Sequence, residues 1–146
     1  KKRKGRISSQ PFCFGDRPLI SITHNQRTSM SEIKRFNVGE RMSQCVVHGN
    51  TVYTAGQVAQ SAPGAPVAEQ TRAILAQIDE LLKAAGTDKS RLISANIWLS
   101  DISTFNEMNG VWDAWVTPGQ TPCRACVESK LAAPQFTVEI SVIAAL

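Results

Sequence analysis

Only two stretches of this chain have helical periodicity, and the strands around them carry apolar residues on both faces. Val67, Ile74, Ile78, Leu81 and Leu82 recur at helical spacing between Val67 and Ala85, and Gly86 supplies the stop. Thr104-x-x-Glu107 has the form of a capping box opening a second helix, with Phe105, Met108, Trp112 and Trp115 as its apolar face. The expected strands are Ile33–Val38, Gln44–His48, Thr51–Ala55, Leu92–Leu99, Arg124–Glu128 and Thr137–Ala144, with Gly49-Asn50 as a tight hairpin. The order β-β-β-α-β-α-β-β makes an α+β domain, one sheet with two helices on one face. Two helices cannot cover the other face. Yet Val46 stands beside Val47, Ile97 beside Trp98, and Val142 beside Ile143. Another copy of the chain is the simplest cover for that second face, so patterning alone predicts a homo-oligomer.

A chain of 146 residues suits one domain rather than two. No run of about 18 apolar residues occurs, so no membrane-spanning helix is expected. The net charge of +4 is unevenly spread. Residues 1–29 carry seven Lys/Arg against Asp16 alone, whereas residues 30–146 carry nine Lys/Arg against eleven Asp/Glu. Basicity therefore belongs to the first segment, which reads as a disordered extension or upstream sequence joined to a domain over 30–146. Lys1–Lys4 has the composition of an address signal, but no amphipathic stripe accompanies it. A mildly acidic body argues against nucleic acid as its partner. Four cysteines (Cys13, Cys45, Cys123, Cys126) without a secretory apolar stretch suggest free thiols and a reducing, cytoplasmic location.

Arg124 is the residue whose setting most demands an explanation. It lies in a strand among small and apolar residues, where a lone cation is costly unless paired or liganded. Alternation puts Arg124, Cys126 and Glu128 on one face, with Ala125 and Val127 on the other. A guanidinium can grip a carboxylate through two parallel hydrogen bonds. A structural ion pair to Glu139 or Glu128 explains the residue equally well. Glu139, between Val138 and Ile140, faces away from both and can orient or deprotonate a water. The two roles are compatible, since an Arg124–Glu139 pair can frame a polar pocket.

Cys123-x-x-Cys126 has the spacing of redox and zinc sites. A redox pair normally sits at a helix N-terminus, whereas residues three apart in a strand point to opposite faces. With only His24 and His48 elsewhere, four zinc ligands do not assemble. No metal, nucleotide fingerprint or Ser-His-Asp set is expected, and no cofactor. Trp98, Trp112 and Trp115 fit core or subunit contact better than base stacking.

Taken together, several segments resemble one family. Pro122-Cys-Arg-Ala-Cys-Val-Glu resembles the signature of the Rid (reactive intermediate deaminase, YjgF-type) family around its substrate-binding arginine. Tyr53-Thr-Ala-Gly-Gln resembles the family's hairpin motif, Gln70-Thr-Arg with Ala84-Ala-Gly its long helix and stop, and Val138-Glu-Ile its last strand. Asn109, Trp112 and Trp115 resemble its second helix, and Trp-Asp-Ala-Trp-Val is similar to the YoaB-like branch. The likeness runs through residues 33–146 in order.

This resemblance implies a chorismate-mutase-like fold assembled as a homotrimer with clefts between subunits. It implies cofactor-free hydrolysis of enamines and imines such as 2-aminoacrylate to a 2-keto acid and ammonia. Arg124 would bind the substrate carboxylate, and backbone groups around Ala55, Gly56 and Cys126 the reacting end. Glu139 would position the attacking water. Strongly active members usually carry a Tyr before the hairpin, where this chain has Met42 in Arg41-Met-Ser-Gln. That departure keeps open a non-catalytic trimer binding small carboxylates or a protein partner through the same cleft. A third reading, nucleic-acid association through residues 1–29, would make binding depend on that segment.

Overall fold

The structure, a computed structural model, describes residues 32–146. The basic extension expected over residues 1–29, with Cys13 and His24, lies outside the described residues. The chain forms β1 (Ile33–Val38), β2 (Ser43–His48), β3 (Thr51–Thr54), β4 (Gln57–Val58), α1 (Val67–Ala85), β5 (Leu92–Leu99), α2 (Phe105–Trp115), β6 (Cys123–Glu128) and β7 (Val138–Ala145). One mixed sheet runs β1-β2-β3-β7-β5-β6, with β4 also pairing β7. Only β5 and β6 are parallel, and the segment between them contains α2. This is the α+β arrangement expected, with one addition. The expected third strand, Thr51–Ala55, stops at Thr54 and pairing resumes at Gln57 as the short β4.

Local signals explain most boundaries. His48 and Thr51 pair across Gly49-Asn50, and Gly49 alone of the two takes positive φ (+58°), as a II′ hairpin turn requires. Gly86 ends α1 in the left-handed region at φ +91°, while the Thr87 N–H donates to the Leu82 carbonyl at 3.0 Å. The capping box does not form. Thr104 Oγ1 donates to the Asp101 carbonyl at 2.6 Å, because a 3₁₀ turn over Ile102–Thr104 leads into α2 and uses Asp101 as its cap. Glu107 instead reaches α1, where its Oε1 accepts from the Ala68 N–H at 3.2 Å.

The core lies between the helices and one face of the sheet. Ile74, Leu75, Ile78 and Leu82 of α1 and Met108 and Trp112 of α2 are buried with Cys45, Val52, Ile97, Val138, Ile140 and Val142. Each fully buried aliphatic side chain contributes about 1.5–3 kcal/mol. Gln70 is fully buried yet satisfied: its Nε2 donates to Ala65 and Gln135 carbonyls at 2.9 Å, and its Oε1 accepts from the Thr137 N–H at 3.0 Å. It ties α1 to the chain entering β7. Among the described residues, no helix lies on the opposite face. There Val46, Tyr53 and Ile143 stand in one row across β2, β3 and β7, with Tyr53 44% exposed. Among the described residues, no helix is long and apolar enough to cross a membrane.

Candidate functional site

β6 is an edge strand beside β5, and the parallel register aligns Ala95 with Arg124, Ile97 with Cys126, and Leu99 with Glu128. Since Ala95, Ile97 and Leu99 are buried under the helices, Arg124 and Cys126 point to the helix side as well. Arg124 Nη1 donates to Asn109 Oδ1 at 2.8 Å. Its guanidinium carbon lies 5.3 Å from the Trp112 ring centroid and 5.8 Å from that of Phe105. Phe105, Asn109 and Trp112 form one stripe of α2 at i, i+4, i+7. Stacking and the single amide bond fix the plane of a guanidinium that remains exposed at the sheet edge, with donors left for a ligand. The α2 spacing was the available signal for this cage, which sequence reasoning did not assemble.

Neither acid considered for Arg124 pairs with it. Glu128 Oε2 accepts from the Ile102 N–H at 2.9 Å, ahead of α2. Glu139 pairs with Trp98 in the β5–β7 ladder and faces the open side, opposite to Val138 and Ile140. The Arg124–Glu139 pocket is therefore not formed within one chain.

Cys126 is half-buried beside Arg124. Burial pushes its thiol pKa up, and the nearby guanidinium offsets this only in part. Cys123 is exposed on the other face, with Sγ donating to the Ile93 carbonyl at 3.2 Å. The C-x-x-C pair is split by the sheet. Among the described residues, no group of three or more His, Cys, Asp or Glu is placed to hold a metal.

A second cluster forms where β3 breaks into β4. The Val142 N–H donates to Thr54 Oγ1 at 2.9 Å, so a side chain stands in for ladder bonding at the break. The Ala55 N–H donates to the Gln44 carbonyl at 2.9 Å. The Glu139 side chain then lies directly over Gly56: a Cβ there would sit 1.9 Å from Oε1 and 2.9 Å from Cδ. Only a glycine permits that approach. Buried Gln57 donates through Nε2 to Gln44 Oε1 at 2.9 Å and to the Ala55 carbonyl at 3.2 Å. Beyond it a groove of about 830 Å³ opens between this break and α1, with Met42 and Gly56 in its wall. Met42 is 47% exposed.

The expected residues thus fall into two groups. Ala55, Gly56, Met42 and Glu139 gather around the β3–β4 break. Arg124 and Cys126 lie at the β6 edge, with β5 and β7 between them and that break.

Comparison with known proteins agrees with this fold. The family model described as endoribonuclease L-PSP matches residues 32–146. The RutC family protein YoaB of Escherichia coli K12 is 41% identical over 114 residues, covering 78% of this chain and 98% of the relative. A 2-iminobutanoate/2-iminopropanoate deaminase of Rattus norvegicus is 32% identical over 108 residues, covering 70% of this chain and 77% of the relative. Among solved structures, NMB1025 of Neisseria meningitidis, a member of the YjgF protein family, superposes with a TM-score of 0.76. It is 42% identical, covering 80% of this chain and 96% of that one. With the family model matched over residues 32–146 and relatives about two-fifths identical over most of the chain, the chain belongs to the YjgF, or Rid, family, whose family model bears the description endoribonuclease L-PSP.

Proposed function

We propose that the chain is a cofactor-independent hydrolase of 2-imino acids and their enamine tautomers, working as a homotrimer whose clefts lie between copies. The observation that carries this reading is Arg124, a guanidinium oriented by Asn109, Phe105 and Trp112 but neutralised by no carboxylate among the described residues. Such a group suits the carboxylate of an amino-acid-derived substrate. Because Arg124 and Gly56 lie far apart in the sheet order, two copies must meet to complete the site, and the open apolar face gives them a reason to. Relatives named as 2-iminobutanoate/2-iminopropanoate deaminases support the reaction class.

In this reading Arg124 holds the carboxylate while backbone groups at Ala55, Gly56 and Cys126 frame the reacting carbon. Glu139 takes a proton from water as its oxygen bonds to the imine carbon, and the C=N electron pair moves onto nitrogen. Protonation of that nitrogen gives a carbinolamine. A second proton reaches the nitrogen as the hydroxyl gives up its own, so the C–N bond breaks with its electron pair on nitrogen, ammonia leaves and the 2-keto acid remains. Imines hydrolyse unaided in water, so positioning plus acid–base help of about 10²–10⁴-fold is sufficient.

Met42 favours a second reading. A thioether cannot orient a water as a phenol can, which suits a trimer that binds small carboxylates or a protein partner without turnover. Phosphodiester cleavage fits less well, since residues 30–146 carry more Asp/Glu than Lys/Arg and offer little to draw a polyanion. The deciding experiment follows keto-acid release from freshly generated 2-imino acids by the native chain and by Arg124→Ala. Acceleration lost in the variant supports the hydrolase. An intact oligomer that accelerates nothing supports the binding protein.

A further inference from the structure

The groove beside Gly56 is larger than a two- or three-carbon imine needs, and its walls are not uniform. Met42, Val58 and Leu81 contribute apolar surface, and Ala73, Ala76 and Ala84 keep the α1 side shallow. Amides of Asn37, Gln60 and Gln77 stand among them. Gln44 Oε1 is taken by Gln57, which leaves its amide N–H groups for the groove. Glu80 is the single charged residue among the described residues lining it. It shares one stripe of α1 with Ala73, Ala76, Gln77 and Ala84, at the spacing of successive turns. The adjoining hollow on the far side of Met42 contains both Glu40 and Arg41, whose charges oppose one another. Glu80 is thus the acid in the groove wall that a bound cation can face.

We infer that this groove receives the substrate side chain, and that it selects a long aliphatic stem ending in a cation: the 2-imino acid of a basic amino acid. This rests on the hydrolase reading above. Methylenes of the stem lie against Met42, Leu81 and the alanines, while the terminal cation faces Glu80 and the glutamine amides. Met42 acquires a purpose in this arrangement. Its unbranched thioether adapts to a flexible chain where a ring would shorten the groove. Gly56 lines the same groove, so the groove reaches the residue over which the Glu139 carboxylate lies. Charge complementarity at such a partly exposed site is modest, about 1 kcal/mol, or roughly fivefold in specificity.

The test uses a matched pair. Imines are generated in situ from arginine and from citrulline by an amino-acid oxidase, and kcat/KM is measured for the native chain, Glu80→Gln and Glu80→Lys. The two side chains are nearly isosteric and differ in charge, and Gln and Lys both suit an exposed helix position. The arginine-to-citrulline ratio should be about five in the native protein, fall to about one in Glu80→Gln, and drop below one in Glu80→Lys. A ratio indifferent to residue 80 overturns the inference. Equilibrium binding of the two corresponding 2-keto acids is measured in parallel. If no imine is turned over, the hydrolase reading fails, and the keto-acid binding ratio decides the groove alone. A ratio that follows the charge at position 80 upholds it, and an unchanged ratio sinks it.

Discussion

Glu139 occupies the space that a side chain at Gly56 would need: a Cβ would stand 1.9 Å from Oε1, 2.9 Å from Cδ and 3.2 Å from Cγ. Gly56 has no positive φ, so close approach rather than backbone freedom requires glycine there. Gly56→Ala must push the carboxylate aside. The displaced group is the end of a flexible side chain, so stability should change little. A misplacement of about 1 Å should lower kcat/KM about 100-fold. Glu139→Gln, which keeps the shape and loses the proposed base, should cost about 10²–10⁴-fold. Steady-state rates with thermal melting check both. A Gly56→Ala protein with full activity would remove Glu139 from the reaction.

Asn109 is the only hydrogen-bonding side chain seen on Arg124 among the described residues. Asn109→Ala leaves the guanidinium stacked on Phe105 and Trp112 but free to rotate. The expected loss is about 1 kcal/mol in ligand affinity, near fivefold, appearing in KM more than in kcat. Arg124→Lys keeps the charge but loses the planar fork, and should weaken keto-acid binding more than Asn109→Ala does. Isothermal titration with 2-oxobutanoate distinguishes the two. The reverse order would mean that charge alone holds the carboxylate.

Glu107 ties two helices by accepting from the Ala68 N–H in the first turn of α1, whose own N-cap, Pro66, offers no side-chain acceptor. Glu107→Ala should therefore destabilise the fold by about 0.5–1 kcal/mol. Thr104→Ala removes only a bond within the 3₁₀ turn and should cost less. Urea denaturation measures both. A larger loss at Thr104 would restore the capping box that the sequence suggested.

These cases show what the sequence could and could not reveal. The Gly49-Asn50 hairpin and the run from Val67 to Gly86 were readable because each is decided by neighbours within a turn or two. Thr104 and Glu107 misled because the acceptor's true donor, Ala68, lies 39 residues away. β4 was missed because a two-residue strand exists only where β7 passes it. Alternation correctly grouped Arg124 with Cys126 and opposed Glu139 to Val138. Which sheet face each group took was settled by pairing with Ala95, Ile97 and Trp98, and that pairing separated Arg124 from Glu139.

The row Val46–Tyr53–Ile143 lies on the helix-free face, where Trp98 is also only half-buried. A patch of this kind on one chain calls for a partner surface. Tyr53→Asp should shift the protein from oligomer to monomer in sedimentation while leaving its helical circular dichroism intact, because Tyr53 does not belong to the helix-side core. Hydrolysis should fall with it, since the proposed shared site would lose one of its halves. A monomeric variant with native turnover would refute the shared cleft.

Cys126 lies beside Arg124 with its thiol pKa raised above the ordinary 9.0 by burial, an effect the guanidinium partly offsets. Cys45, deep in the core, is raised by burial as well. Both thiols are therefore protonated through neutral pH, which makes Cys126 a poor nucleophile there. Cys126→Ser should keep kcat/KM within about threefold, because in the proposed site its backbone rather than its sulfur frames the ligand. Iodoacetamide labelling of Cys126 should be slow at neutral pH and rise only above 9. Arg124→Gln should slow it further, since losing the cation raises the thiol pKa again. The same shifts set a direction for stability. The unfolded thiols ionise first, so the contribution of both cysteines is complete below the unfolded value and is lost as pH rises through the higher folded ones. Melting temperatures of the native chain and a Cys45→Ala, Cys126→Ser double variant, compared at pH 8 and pH 10, should show the steeper alkaline decline in the native protein. Equal slopes would mean that neither thiol titrates with folding.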